Sequence, residues 1–146
     1  MIIRRLTPQD PLWEKAADFA ENCSWIAGKH LAQMMRENRF SDWGTDFFAM
    51  EGERFAGYCT LLREDYYPEN RYSPWISSVF VEESFRGRQL SGTLIAAAEK
   101  YAKFLGFAQV YIPTDQPELY QRFGYEVIDS LVNYGGDTDQ ILTKLL

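Results

Sequence analysis

The stretch VFVEESFRGRQLSGTLIAAAEKYAKFLGF, residues 79–107, joins two kinds of hydrophobic pattern through a short basic turn. Its opening residues read as the end of an apolar strand. From Leu90, apolar side chains recur at Leu94, Ala97, Ala98, Tyr101 and Leu105, the spacing of a helix, and Gly106 supplies a stop. The turn between them, FRGRQLSGT, feeds a helix N-terminus, where about four backbone N–H groups lack partners and a partial positive charge collects. Such an end suits an anion, phosphate above all. Arg86 and Arg88 add full charges, while Gly87, Ser91 and Gly92 keep the backbone accessible. The same residues also read as a basic turn that only caps a helix. Neither G-x-x-x-x-G-K-[ST] nor G-x-G-x-x-G occurs in the chain.

Working outward, residues 2–6 predict a first strand, and Asp10 before Pro11 starts a helix over 11–22. KHLAQMMRENRF predicts a second helix, and SDWGTD connects it to FFAMEG and RFAGYCTLLRED, two strands joined at a tight turn by Gly52. YYPENRYSP reads as a loop. WISSVFVEE follows without strict alternation, as expected of a central strand covered on both faces. After the long helix come the strand AQVYIPT, the short helix QPELYQRF closed by Gly124, and the strands YEVIDSLVNY and QILTKLL. The order is β-α-α-β-β-β-α-β-α-β-β, an α/β (α+β) pattern with a mixed sheet. No repeat, low-complexity tract or linker divides residues 1–146, so one domain is expected.

Composition narrows the function. With 46% hydrophobic and 25% charged residues the chain reads as an ordinary globular protein, rich in aromatics at 16%. Fifteen basic against 21 acidic residues give a net charge of −6, which disfavours nucleic acid as a partner and suits a cationic substrate or simple solubility. Cys23 and Cys59 match no metal or redox spacing and read as reduced thiols, which points to the cytoplasm. No apolar run approaches the roughly 18 residues of a membrane span.

VFVEESFRGRQLSGTLI resembles the signature of the GCN5-related N-acetyltransferases, whose coenzyme A loop follows [RQ]-x-x-G-x-[GA] after the fourth strand. LYQRFGYEV resembles that family's second signature, L-Y-x-x-x-G-[FY], after the fifth strand. The two cover residues 75–127, about a third of the chain. The resemblance implies the acyl-CoA N-acyltransferase fold, a sheet of about seven strands flanked by about four helices, and acetyl-CoA as co-substrate without a metal. It further implies that Arg86, Gly87, Arg88, Gln89, Leu90, Ser91 and Gly92 hold the pyrophosphate, and that Val79, Phe80 and Val81 offer their backbone to the pantetheine arm. The N–H near Val81 would then polarise the thioester carbonyl. Gln89 departs from the pattern, standing where the family has glycine, and Ser91 stands where it has Gly or Ala. A glutamine side chain there would crowd the pyrophosphate or call for a φ that only glycine adopts cheaply, but its N–H remains a donor, so binding is expected to survive if the backbone stays in an ordinary helical region.

Tyr120 matches the family tyrosine that protonates the departing sulfur; a phenol of pKa about 10 keeps its proton at neutral pH. Read without the motif, it packs with Leu119 and Phe123. For the general base, Trp75 stands where many members carry an acid, so Glu82 becomes the first candidate, with Glu83, Asp65 and Tyr66 behind it. His30 reads as a surface or helix-start histidine rather than a base. Trp25, Tyr66, Tyr67 and Tyr72 with Glu64, Asp65 and Glu69 would flank the acceptor, aromatic walls and carboxylates that suit a cationic amine. The expectation is acetyl transfer to a primary amine of a small molecule or peptide by direct attack, since neither cysteine lies in a motif. A non-catalytic acyl-CoA sensor is the rival reading. Monomer and homodimer both stay open.

Overall fold

The computed structural model describes residues 1–40, 42–69 and 71–146. One residue each of the SDWGTD connection and the YYPENRYSP loop, Ser41 and Asn70, therefore lies outside the described residues. The elements are β1 (Ile2–Arg4), α1 (Trp13–Asn22), α2 (Ala27–Arg36), β2 (Thr45–Glu51), β3 (Arg54–Leu62) and β4 (Trp75–Val81). A 3-10 turn (Glu83–Phe85) leads to α3 (Leu90–Phe104), β5 (Gln109–Thr114), α4 (Glu118–Gln121), β6 (Glu126–Val132) and β7 (Thr138–Leu145). The predicted order holds throughout.

Boundaries differ where side chains intervene. α1 starts at Trp13 rather than Pro11, because Asp10 closes a turn first: its carboxylate accepts the Leu12 N–H at 2.9 Å and its carbonyl the Trp13 N–H at 3.0 Å. Thr45 and Asp46, predicted in a connection, belong to β2. Glu82 and Glu83, predicted in β4, instead cap and begin the 3-10 turn.

The sheet runs β1-β2-β3-β4-β5-β7-β6, antiparallel except for the β4–β5 step. α3 covers one face, where Leu94, Ile95, Ala98 and Ala102 pack on Phe47, Cys59, Ile76 and Val110. On the other face α1 and α2 bury Trp13, Ala16, Ala20, Leu31 and Met35 against Phe48, Tyr58 and Phe80. Removing a side chain such as Leu94 would cost about 2–5 kcal/mol. α1 and α2 approach closely because position 28 is glycine; a Cβ there would sit 2.1 Å from the Ala20 carbonyl oxygen. Arg36 ties the pair further, reaching Glu14 at 3.2 Å, Glu21 at 3.0 Å and Asp18. These exposed ion pairs orient the helices more than they stabilise them. Ser24 and Trp25 lie in the connection between the two helices, where Trp25 stacks on Phe80 of β4.

Asp46 is a cost within this core. It is fully buried; one carboxylate oxygen accepts the Leu6 N–H at 3.3 Å and the other has no partner among the described residues. Burial pushes its pKa up to about 7, against the opposing pull of the Leu6 N–H and Arg5. An acid whose folded pKa exceeds its unfolded value loses folding stability as pH rises between the two. Asp46→Asn should therefore gain on the wild type progressively from pH 4 to pH 7, toward a difference on the order of 4 kcal/mol. Urea melts across that range read the difference, and a gap independent of pH would refute the assignment.

Candidate active site

β4 and β5 share a single register pair, Trp75 with Tyr111, beside a Tyr111 N–H to Pro74 carbonyl bond of 3.0 Å. Among the described residues no further β4–β5 pair follows, so the β5-facing edge of residues 77–81 has no strand beside it, while β7 pairs with the opposite edge of β5. On its other edge β4 stays paired with β3, but two residues, Ser78 and Val79, lie between the paired Ser77 and Phe80 where only Cys59 lies between their partners Thr60 and Tyr58. The extra residue forms a bulge, with Ser78 at φ 52°. A groove of about 530 Å³ opens at this splay, lined by Val79, Phe80 and Val81, by Trp25 across from them, and by Tyr120 and Phe123. The three strand residues proposed from sequence are thus brought to its wall. Trp25 stacks on Phe80 with ring centroids 6.3 Å apart.

The basic turn closes one end. Arg86 and Ser91 line the groove, while Gly87, Arg88, Gln89 and Gly92 line an adjoining hollow of about 640 Å³ that shares Phe123. Arg86 donates from Nε to the Val81 carbonyl at 3.0 Å, fastening the turn to β4. Arg88 lies over the Phe85 ring and reaches Glu51 at 3.4 Å, so part of its charge is already balanced. Leu90 is buried and anchors the loop in the core. No side chain caps α3, and helix geometry offers no carbonyl to the N–H groups of Leu90, Ser91 and Gly92. Gly92 has to be small, since a Cβ there would meet the Phe123 ring at 2.8 Å.

Gln89 departs from the expected backbone. It does not take an ordinary helical conformation; as N-cap of α3 it sits at φ 55°, ψ 30°, the left-handed region that glycine enters at no steric cost. The glutamine therefore keeps the shape a glycine would give the loop, at a strain of about 1–2 kcal/mol. Its exposed side chain leaves the backbone path unblocked, and its carbonyl accepts the Thr93 N–H at 3.3 Å.

Tyr120 stands on α4, half-buried, facing the splay. Burial, then the nearby Cys59 and Asp115, raises its pKa, so the phenol holds its proton at neutral pH. Among the described residues nothing hydrogen-bonds its hydroxyl.

Glu82 lies elsewhere. Its carboxylate accepts the Ser84 N–H at 2.9 Å and the Ser84 hydroxyl, and these bonds hold its carboxyl below the usual range. It caps a turn outside the groove lining, a poor arrangement for collecting a proton. Of the predicted acceptor-side residues, Tyr67 is buried against Trp75 with centroids 5.5 Å apart, and Tyr72 is engaged by Asp129 at 2.6 Å. Glu69 is taken by Arg71, Glu64 is exposed, and His30 is exposed on α2. Asp65 turns inward, accepting from the Ser77 hydroxyl on β4 and from the Tyr66 N–H at 2.6 Å. Beside it stands Asp139 of β7, which accepts from Tyr67 Oη at 2.7 Å and Asn133 Nδ2 at 3.0 Å. Sequence reasoning missed Ser77, Asn133 and Asp139; no local motif marks them, because they meet only through strand pairing.

Comparison with known proteins agrees with this geometry. No functionally curated protein matches the sequence significantly. Among solved structures, the aminoglycoside 6'-N-acetyltransferase from Enterococcus faecium superposes with a TM-score of 0.74 at 18% identity, covering 99% of this chain and 97% of that one. The GNAT family N-acetyltransferase YhbS from Escherichia coli, solved with CoA, gives 0.71 at 23% identity over 99% and 80%. The ribosomal-protein-alanine N-acetyltransferase from Brucella melitensis gives 0.68 at 21% over the full length of both. At these identities the likeness establishes the fold. The profile described as "Acetyltransferase (GNAT) family" matches residues 10–125, and with the splayed β4, the α3 turn and the matching seven-stranded sheet, this chain belongs to that family.

Proposed function

We propose that the protein transfers an acetyl group from acetyl-CoA to a primary amine of a small molecule or peptide, by direct attack with both substrates bound. The observation that carries this reading is the unpaired edge of β4, running from the α3 N-terminus to a protonated tyrosine. Acetyl-CoA supplies an activated acetyl group. The free N–H groups of Leu90, Ser91 and Gly92, with Arg86, fit its pyrophosphate, and the groove wall of residues 79–81 fits an extended arm needing backbone partners. A backbone N–H near Val81 supplies a donor for the oxygen on which charge develops. Tyr120 delivers a proton to the leaving sulfur. Two neighbours of like fold acetylate amines by their names, and one was solved with CoA.

Release of free thiol from acetyl-CoA across a panel of amines tests the reading; turnover with any acceptor also removes the sensor alternative. Saturating acetyl-CoA should raise the melting temperature by several degrees, since binding to the folded state alone at 100 times Kd contributes about 2.7 kcal/mol. An unchanged melt would count against the site. Tyr120→Phe should lower kcat by about 100-fold with little change in acetyl-CoA affinity, and an unaltered kcat would remove it from the acid role. At position 89, Gln89→Gly should leave cofactor affinity within about fivefold, whereas Gln89→Val, β-branched in the left-handed region, should lower both melting temperature and affinity. Equal behaviour of the two variants would mean that the loop does not depend on this conformation.

A further inference from the structure

The reading above leaves open where the acceptor's proton goes, and one group on the acceptor side is built to take it. Asp65 follows β3 in a loop that turns under the sheet, and its carboxylate is engaged by Ser77 on β4 and by the Tyr66 N–H at 2.6 Å. Ser77 is only 7% exposed, and it lies two residues, about 7 Å of strand, before the groove wall at Val79. Between them sits the Ser78 bulge. Ser77 thus joins the half-buried carboxylate of Asp65 to the strand whose later residues form the groove wall.

The groups facing Asp65 come from each packed element. His30 approaches from α2, Asp139 from β7, Tyr66 and Tyr67 from its own loop, and Ser77 from β4. Among the described residues neither Asp65 nor Asp139 has a Lys or Arg within ion-pair distance. Burial raises the pKa of Asp65 and Asp139 adds to the rise, against the lowering effects of Ser77, the Tyr66 N–H and His30. A carboxylate so placed takes up a proton more readily than Glu82, whose Ser84 bonds hold it ionised.

We propose that Ser77 and Asp65 form the route by which the acceptor ammonium loses its proton, Asp65 acting through the Ser77 hydroxyl. The inference rests on the acetyltransferase reading. One ammonium proton passes to Ser77 Oγ as the Ser77 hydroxyl proton passes to Asp65. The freed lone pair on nitrogen forms the C–N bond to the acetyl carbon as the C–S bond breaks. Tyr120 gives its proton to the sulfur and is restored by the second proton leaving nitrogen. The proton on Asp65 returns to solvent, so each turnover releases one amide, one thiol and one proton.

The test compares wild type, Asp65→Asn, Ser77→Ala and Ser77→Thr with an amine that the wild type acetylates. Asp65→Asn should lower kcat/KM by about 100-fold at pH 7, and the loss should shrink as pH approaches the amine's own pKa. Ser77→Ala should show a loss of the same form and Ser77→Thr should restore most of the rate, with the melting shift given by acetyl-CoA unchanged in all three. Ser77→Ala serves as the second probe should Asp65→Asn fail to fold. A wild-type pH profile in either Asp65→Asn or Ser77→Ala overturns the route and leaves acetyl transfer standing. Absence of transfer by the wild type to any amine overturns both.

Discussion

Everything at the site follows from the parting of two parallel strands. β4 and β5 meet at Trp75 and Tyr111, where Trp75 packs among Tyr67, Tyr72 and Tyr111 at centroid distances of 5.5 to 6.1 Å. That aromatic knot, with Leu131 and Ile141, holds the strands together at one point. Beyond it β4 and β5 cease to pair, and backbone groups of β4 are left facing a groove. Unpaired backbone in a protein interior is costly unless something else satisfies it. A ligand with its own donors and acceptors would satisfy such an edge, and the proposed function gives that part to the pantetheine arm.

The strain at Gln89 belongs to the same arrangement. The turn after β4 has to reverse into α3 within a few residues, with its N–H groups aimed outward, and the left-handed conformation at the N-cap accomplishes this. Buried Leu90, the Arg86 bond to the Val81 carbonyl, and the fit of Gly92 under Phe123 hold the loop against that strain. Asp46 is a second local cost, set in the core between β1 and β2 rather than at the groove. Both are tolerated because dense packing on the two sheet faces over-determines the backbone around them.

Much of the architecture was legible in the sequence because its signals are local. The spacing from Leu90 to Leu105 defines α3, Gly52 the hairpin turn, and the two motifs carry Val79, Phe80, Val81, Arg86, Ser91 and Tyr120, which line one groove. Proton transfer on the acceptor side was not legible in that way. Glu82 was attractive by its position just past the strand, but capping of the 3-10 turn takes its carboxylate. Asp65 stood out less, being one of several acids in a loop, and nothing in its neighbourhood of sequence tells that it turns inward to Ser77.

The sequence by itself determined the order of elements, the basic turn before α3 and the tyrosine on α4, since each depends on residues a few positions apart. Only the tertiary structure decided which acids turn inward and which cap turns, and how Gln89 bends. Ser77, Asn133 and Asp139 reach Asp65 and Tyr67 through the pairing of β4 with β3 and of β7 with β5 and β6. Long-range register of this kind is set by the whole core, and no local pattern of residues encodes it.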